Sequence, residues 1–120
     1  MILSGRSIVS GKVEAKVVKF DKPLVILGDI DEKNGKILGR NIRGKIVVFP
    51  KGVGSTVGSY TIYGLKYYGN EPAGFVLQEA ETIVAAGVIM ADIPTVDLID
   101  INKIKDGMKI RINDNTLELL

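Results

Sequence analysis

Three glycines and three hydroxyl side chains fall within one short stretch near the middle of the chain, residues 52–59. Glycine lets a ligand approach the backbone closely, and a hydroxyl can accept or donate a proton. Such a stretch can hold an anionic group on backbone N–H groups and place a hydroxyl beside it. A tight turn whose hydroxyls only cap the following helix is the alternative. The residues that could contact a ligand are Gly52, Gly54, Ser55, Thr56, Gly58 and Ser59.

Composition and spacing exclude several familiar kinds of site. No Gly-Lys-Ser/Thr follows the glycines, as a Walker loop requires, and their G-x-G-x-x-x-G spacing is one residue longer than a dinucleotide fingerprint. The chain has no histidine and no cysteine. A nucleophile elbow, thiol chemistry, zinc sites of the usual kind and iron–sulfur ligation by this chain are therefore excluded.

The elements that flank the glycine stretch predict how it is held. Ile46–Phe49 is a short β-branched and aromatic run typical of a buried strand. Residues 60–68 place Ile62, Leu65 and Tyr68 at helical spacing, and Gly69 suits the position just past a helix end. Strand, glycine loop and helix N-terminus in this order direct unpaired N–H groups at one spot.

A second strand, Ala73–Leu77, follows the helix and completes a βαβ unit with two parallel strands. Glu79 and Glu81 come next; they either border the site or lie in the first turn of a short helix. We expect that helix to cover residues 82–86 and to end at Gly87. The apolar run Val88–Ala91 then predicts a third buried strand.

The rest of the chain indicates β structure on both sides of this unit. Residues 12–17 alternate polar and apolar side chains, and residues 108–112 and 116–119 predict a hairpin. Asp100 could cap a helical turn. The acidic residues 29–32 predict an exposed turn rather than a cation site, and Arg6 is either a surface charge or an anion contact. One domain over residues 1–120 is expected.

The charge balance and hydropathy narrow the class of partner. Sixteen Lys and Arg face fourteen Asp and Glu, and no basic run is interleaved with aromatics, so we expect no nucleic-acid partner. No signal-peptide pattern and no apolar run of membrane-spanning length is seen, which favours the cytoplasm and no membrane association. The apolar share of 46% suggests a surface that a partner buries.

The run from Phe49 to Tyr60, F-P-x-G-x-G-S-T-x-G-S-Y, resembles the swivel-domain small subunits of the aconitase X family, which include those of archaeal phosphomevalonate dehydratase. Further similar segments extend over nearly the whole chain, including Gly44–Pro50 and Ile93–Val96. The resemblance implies a single swivelling β/β/α domain, here with a central βαβ unit and β-rich flanks. Family members often carry a basic residue where this chain has Val53, and residues 36–44 form a shorter segment than usual.

The resemblance also implies an activity: a hydro-lyase that dehydrates (R)-5-phosphomevalonate to trans-anhydromevalonate 5-phosphate in the archaeal mevalonate pathway. Ser55 would be the proton acceptor, and the substrate-binding residues would be Gly52, Gly54, Thr56, Gly58, Ser59 and Arg6. A large, cysteine-bearing subunit would hold the iron–sulfur cluster, and no cofactor or metal would be bound by this chain. The alternatives are a dehydratase subunit for another hydroxy acid, such as a hydroxyproline, and a non-catalytic anion-binding module.

A serine hydroxyl is far too weak a base unless its alkoxide is stabilised. A helix N-terminus supplies at best ~2 kcal/mol, and one pKa unit corresponds to about 1.36 kcal/mol, so the dipole alone is insufficient. Several N–H donors converging in a water-excluded site stabilise an anion far more. We therefore expect Ser55 to become reactive only when a second subunit covers it.

Overall fold

A computed structural model describes all 120 residues. The strands are β1 (Ile2–Ser4), β2 (Arg6–Val9), β3 (Lys12–Lys19), β4 (Leu24–Val25), β5 (Ile30–Asp31), β6 (Lys36–Ile37), β7 (Arg40–Asn41), β8 (Ile46–Phe49), β9 (Gly52–Val53), β10 (Gly74–Leu77), β11 (Thr95–Asp97), β12 (Lys109–Asn113) and β13 (Thr116–Leu119). The helices are α1 (Ile26–Asp29), α2 (Gly58–Tyr67) and α3 (Thr82–Ala91), and a 3₁₀ turn covers Ile101–Lys103.

Eight strands form the main sheet in the order β1-β13-β12-β3-β8-β10-β11-β2. Its centre is parallel, because β3, β10 and β8 run in the same direction and β11 runs parallel to β10. Strand β2 closes one side antiparallel to β11, and β12 continues the other side antiparallel to β3. The predicted βαβ unit, β8–α2–β10, is confirmed.

Apolar side chains cover both faces of the central strands. All four residues of β8 are buried. Val47 and Phe49 belong to the core shared with helices α2 and α3, where the ring of Phe49 meets that of Phe75 edge-on at 5.9 Å. Ile46 and Val48 belong to a second core, which includes residues of β12 and β13. This large mixed sheet with helices α2 and α3 packed against it confirms the predicted α/β class.

Helix α3 corrects the prediction for residues 82–91. The short helix ending at Gly87 and the strand Val88–Ala91 are in fact one continuous helix. A Cβ atom at Gly87 would lie 2.8 Å from Cβ of Ile62, so this glycine allows α3 to pack closely on α2. An apolar run of four residues fits a buried strand or a buried helix equally well, which explains the error. The third parallel strand of the unit is instead β11.

The end of α2 confirms one prediction and corrects another. Gly69 has φ +72°, and its N–H donates to the carbonyl of Lys66 while that of Asn70 donates to Leu65. This is a Schellman motif, which favours glycine at that position. Tyr68, however, is not part of the apolar face, because 45% of it is exposed; Ile62 and Leu65 are buried as predicted.

The flanking predictions agree with the structure in the main. The alternating residues 12–17 lie in β3, the C-terminal hairpin pairs β12 with β13, and Asp100 caps the 3₁₀ turn. The acidic segment near residue 31 is a turn in which Asp31 accepts hydrogen bonds from Asn34. No group of three or more Asp and Glu side chains converges as metal ligands. None of the helices has the length and hydropathy needed to cross a membrane.

Candidate active site

The glycine loop begins where β8 ends, at the carboxyl edge of the parallel strands. The carbonyl oxygen of Pro50 accepts hydrogen bonds from the N–H groups of Gln78 and Glu79, which follow the neighbouring strand β10. Strand β9 pairs with β4 and fixes the first part of the loop on its other side. Residues 54–57 therefore project from a base that is held by two separate segments. Ligands of open α/β sheets bind at this edge.

Four consecutive backbone N–H groups in the loop, those of residues 54–57, make no hydrogen bond within the chain. Those of the next three residues donate to carbonyls of residues 55–57, and no side chain caps α2. Helix α3 differs, because the Glu81 carboxylate accepts from the N–H groups of Ile83 and Val84. Glu81 is thus a helix cap for α3, whereas no side chain caps α2.

Ser55 and Thr56 lie on this exposed part of the loop, and neither side chain is hydrogen bonded within the chain. Gly54, just before them, has φ +126°, a backbone conformation that residues with a side chain rarely adopt. The free N–H groups and the Ser55 hydroxyl therefore occupy one short solvent-facing segment. A small oxyanion could accept hydrogen bonds from several of these N–H groups.

Three of the predicted substrate-binding residues are buried and have packing roles. A Cβ at Gly52 would lie 2.6 Å from a methyl carbon of Val84, and one at Gly58 would lie 3.2 Å from Ile26. The Ser59 side chain points inward, and its hydroxyl donates to the carbonyl of Thr56 at 2.8 Å. The residues that remain as candidate ligand contacts are Gly54, Ser55, Thr56 and Arg6.

Arg6 lies on the same edge of the sheet and forms an ion pair with Asp97. Its Nε and Nη2 donate to the two carboxylate oxygens at 3.0 and 2.7 Å. The hydrogen bonds and the charge of Asp97 raise the pKa of Arg6 further above its ordinary value, with a small contribution from Glu79. The Arg6 side chain stays 55% exposed, while that of Asp97 is fully buried.

Asp97 was not among the residues predicted for the site. The sequence interpretation ended the parallel strands with residues 88–91, so residue 97 had no assigned place in the sheet. A signal was nevertheless present, since Asp97 is a charged residue directly after the β-branched pair Thr95–Val96. An isolated charge at the end of a buried strand needs a partner.

The loop surface is open. One cavity is present elsewhere on the molecule, lined by Lys12, Val13, Glu14 and Arg111 on β3 and β12. That part of β3 extends beyond the amino end of β8, away from the glycine loop. Water therefore has free access to Ser55 in this chain by itself, and a water-excluded site requires a second protein surface.

Comparisons with known proteins agree with the resemblance seen in the sequence. The family profile described as the aconitase X swivel domain matches residues 2–119. The phosphomevalonate dehydratase small subunit of Thermococcus kodakarensis is 48% identical over 126 aligned residues, which cover 99% of this chain and 95% of that relative. The subunit of the same name from Methanocaldococcus jannaschii is 47% identical, with 97% and 94% covered. The crystal structure of Thermococcus kodakaraensis aconitase X in its holo-form matches with a TM-score of 0.97 at 46% identity, covering 100% of this chain and 98% of that one.

Proposed function

Because the chain belongs to the aconitase X swivel-domain family, we propose that it is the small subunit of a hydro-lyase that dehydrates phosphomevalonate. The observation that carries this proposal is the exposed Ser55 hydroxyl among four N–H groups without partners. The near full-length similarity to subunits named for this activity supports phosphomevalonate as the substrate. The product would be trans-anhydromevalonate 5-phosphate.

Ser55 is the proton acceptor in this proposal. Dehydration removes a proton from the carbon next to the substrate carboxylate and a hydroxyl group from the following carbon. The Ser55 oxygen takes the proton, and the free N–H groups of residues 54–57 stabilise the negative charge that this oxygen carries beforehand. Gly54, with φ +126°, stands at the start of this run of free N–H groups.

The iron–sulfur cluster belongs to the large subunit in this proposal. This chain has no cysteine, so its residues do not fit a cluster. When present in the assembled enzyme, the cluster would supply a Lewis acid for the departing hydroxyl group. The contribution of this chain is limited to binding the substrate, orienting it and accepting the proton.

The large subunit would cover the glycine loop and exclude water from it. Exposed apolar side chains surround the loop: Val25 on β4, Leu27 on α1, Val57 at the start of α2 and Tyr60 in its first turn, each 46–68% exposed. Groups of exposed apolar side chains mark protein interfaces, and tyrosine is enriched among residues that dominate binding energy. These four residues form the apolar collar of the site.

Tyr60→Asp is expected to weaken assembly with the large subunit by about 30-fold or more, because it removes an aromatic contact and buries a charge. Affinity can be measured by titrating the purified large subunit. Ile2→Asp is the matched control: Ile2 is 65% exposed against 68% for Tyr60, but it lies on β1, at the far end of the sheet. Equal affinities for the two variants would contradict the placement of the interface.

The proposal is tested by assaying the chain with and without its large subunit. We expect no turnover of phosphomevalonate by the chain alone and dehydration by the assembled pair. Turnover of a different hydroxy acid, such as a hydroxyproline, in place of phosphomevalonate would show that the enzyme has a different substrate. A chain that purifies alone from its native host and binds phosphate without turnover would instead be an anion-binding module.

A further inference from the structure

We propose that Asp97 is a positioning residue: it holds Arg6 so that the free edge of the guanidinium binds the phosphoryl group of the substrate. The inference rests on the proposed function, since it concerns the same site and the same substrate. It adds a second anion-binding position, one that is separate from the N–H groups of the glycine loop.

The contacts of Asp97 show that its carboxylate is fixed. Besides the two bonds from Arg6, Oδ2 accepts the N–H of Ala80 at 2.8 Å. The side chain has no exposed surface, and no buried polar side-chain atom in the chain lacks a partner. Apart from Arg6, this carboxylate is held by the N–H of Ala80 and by its burial, so it does not follow a moving arginine. It therefore sets one position for the guanidinium group.

The mode of pairing leaves donors free on the exposed side. Arg6 uses Nε and one hydrogen of Nη2 on Asp97, so three of its five N–H hydrogens remain: two on Nη1 and one on Nη2. One hydrogen of Nη1 and the remaining hydrogen of Nη2 point the same way along the other edge of the planar group, which matches two oxygens of a phosphate or carboxylate. Glu79 is exposed and makes no hydrogen bond to Arg6, so this edge has no protein acceptor.

The backbone at Arg6 is also tightly defined. A side chain at the preceding residue, Gly5, would collide with the carbonyl oxygen of Asp97. Arg6 and Asp97 are register partners on β2 and β11. Close approach of the two strands at this point places the start of the arginine side chain directly beside the buried carboxylate.

The position of Arg6 suits the end of the substrate that is remote from the reaction. Phe49, at the end of β8, leads into the glycine loop and pairs with Leu77 of β10. Asp97 of β11 pairs with Arg6 of β2. These residues therefore lie near one row that crosses the four strands. Three strand spacings of about 4.8 Å separate the ends of that row by roughly 14 Å, part of which the arginine side chain spans. In phosphomevalonate the proton leaves from beside the carboxylate, and the phosphoryl group is at the opposite end.

A pair that only stabilises the fold is the competing explanation, and the test must separate the two. In the assembled enzyme we expect Asp97→Asn to raise KM about tenfold or more with kcat unchanged, because Arg6 loses its fixed position. Binding of inorganic phosphate, measured by calorimetry on the complex without turnover, should weaken by a similar factor. In an Arg6→Gln background, Asp97→Asn should cause no further rise in KM.

Glu14→Gln is the matched control. Glu14 accepts two N–H groups of Arg111, but at the other end of the sheet. We expect its KM to equal that of the unmodified complex. If Asp97→Asn does not assemble, Arg6→Lys replaces it, because lysine keeps the charge but cannot pair with Asp97 and the substrate through a fixed fork.

An unchanged KM and unchanged phosphate binding in a folded, assembled Asp97→Asn or Arg6→Lys complex would overturn this inference and leave the proposed function intact. An unmodified complex that never dehydrates phosphomevalonate would reject the proposed function. Phosphate binding that still depends on Asp97 would then support the Arg6 site independently.

Discussion

Ser55→Ala in the assembled enzyme is expected to lower kcat by about 10²–10⁴-fold, the range that a positioned acid or base contributes. Ser55 is exposed and makes no hydrogen bond within the chain, so its removal should not affect the fold. Affinity for the large subunit and KM should stay near their original values. Steady-state dehydration of phosphomevalonate is the measurement.

Ser59→Ala provides the matched control for a nearby hydroxyl. Ser59 is buried, and its hydroxyl donates to a carbonyl oxygen within the loop. Its loss should lower the free energy of unfolding by about 1 kcal/mol and leave most of kcat in place. A Ser55→Ala complex that dehydrates at the full rate would end the assignment of Ser55 as proton acceptor. A larger loss of kcat in Ser59→Ala than in Ser55→Ala would indicate that the geometry of the loop, and not the Ser55 hydroxyl, determines the rate.

Gly54→Ala is expected to lower kcat/KM by about 10²-fold, the loss that follows removal of one N–H donor to a reacting anion. At φ +126° a side chain is strained, although nothing lies within 4 Å of the added Cβ. The loop would relieve this strain, which costs about 1–3 kcal/mol, by rotating its backbone. The N–H groups of residues 55–57 would then point elsewhere. Activity and urea unfolding of the same preparation measure both effects.

Gly69→Ala separates conformational strain from loss of function. Gly69 also has positive φ, +72°, and no atom within 4 Å of the added Cβ. It lies past the C-terminus of α2, at the end of the helix opposite to the loop. We expect a loss of unfolding free energy and unchanged turnover. A Gly54→Ala complex with full activity would show that the loop N–H groups do not take part in the reaction.

The central unit of the fold was predictable because its signals are local. A β-branched run, a glycine loop, a helical repeat and Gly69 follow one another within residues 46–69, and each depends only on near neighbours in the chain. The exposure of Ser55 and Thr56 follows from the same pattern. Helix α3 was mispredicted because its apolar residues carry no clear period: Gly87 and Val88 are buried by contacts with other elements, and only tertiary packing identifies that segment as a helix.

The roles of individual glycines and charges were decided by the tertiary structure. Gly52 and Gly58 have no room for a side chain because Val84 and Ile26 pack against them. Gly54 has that room, but its backbone angle favours glycine, although all three residues belong to one motif. Asp97 and Arg6 are 91 residues apart. Composition and local pattern determined the strand–loop–helix unit and the exposed hydroxyl of Ser55. Strand register decided the partner of Arg6, because β2 and β11 pair only when the chain between them has folded.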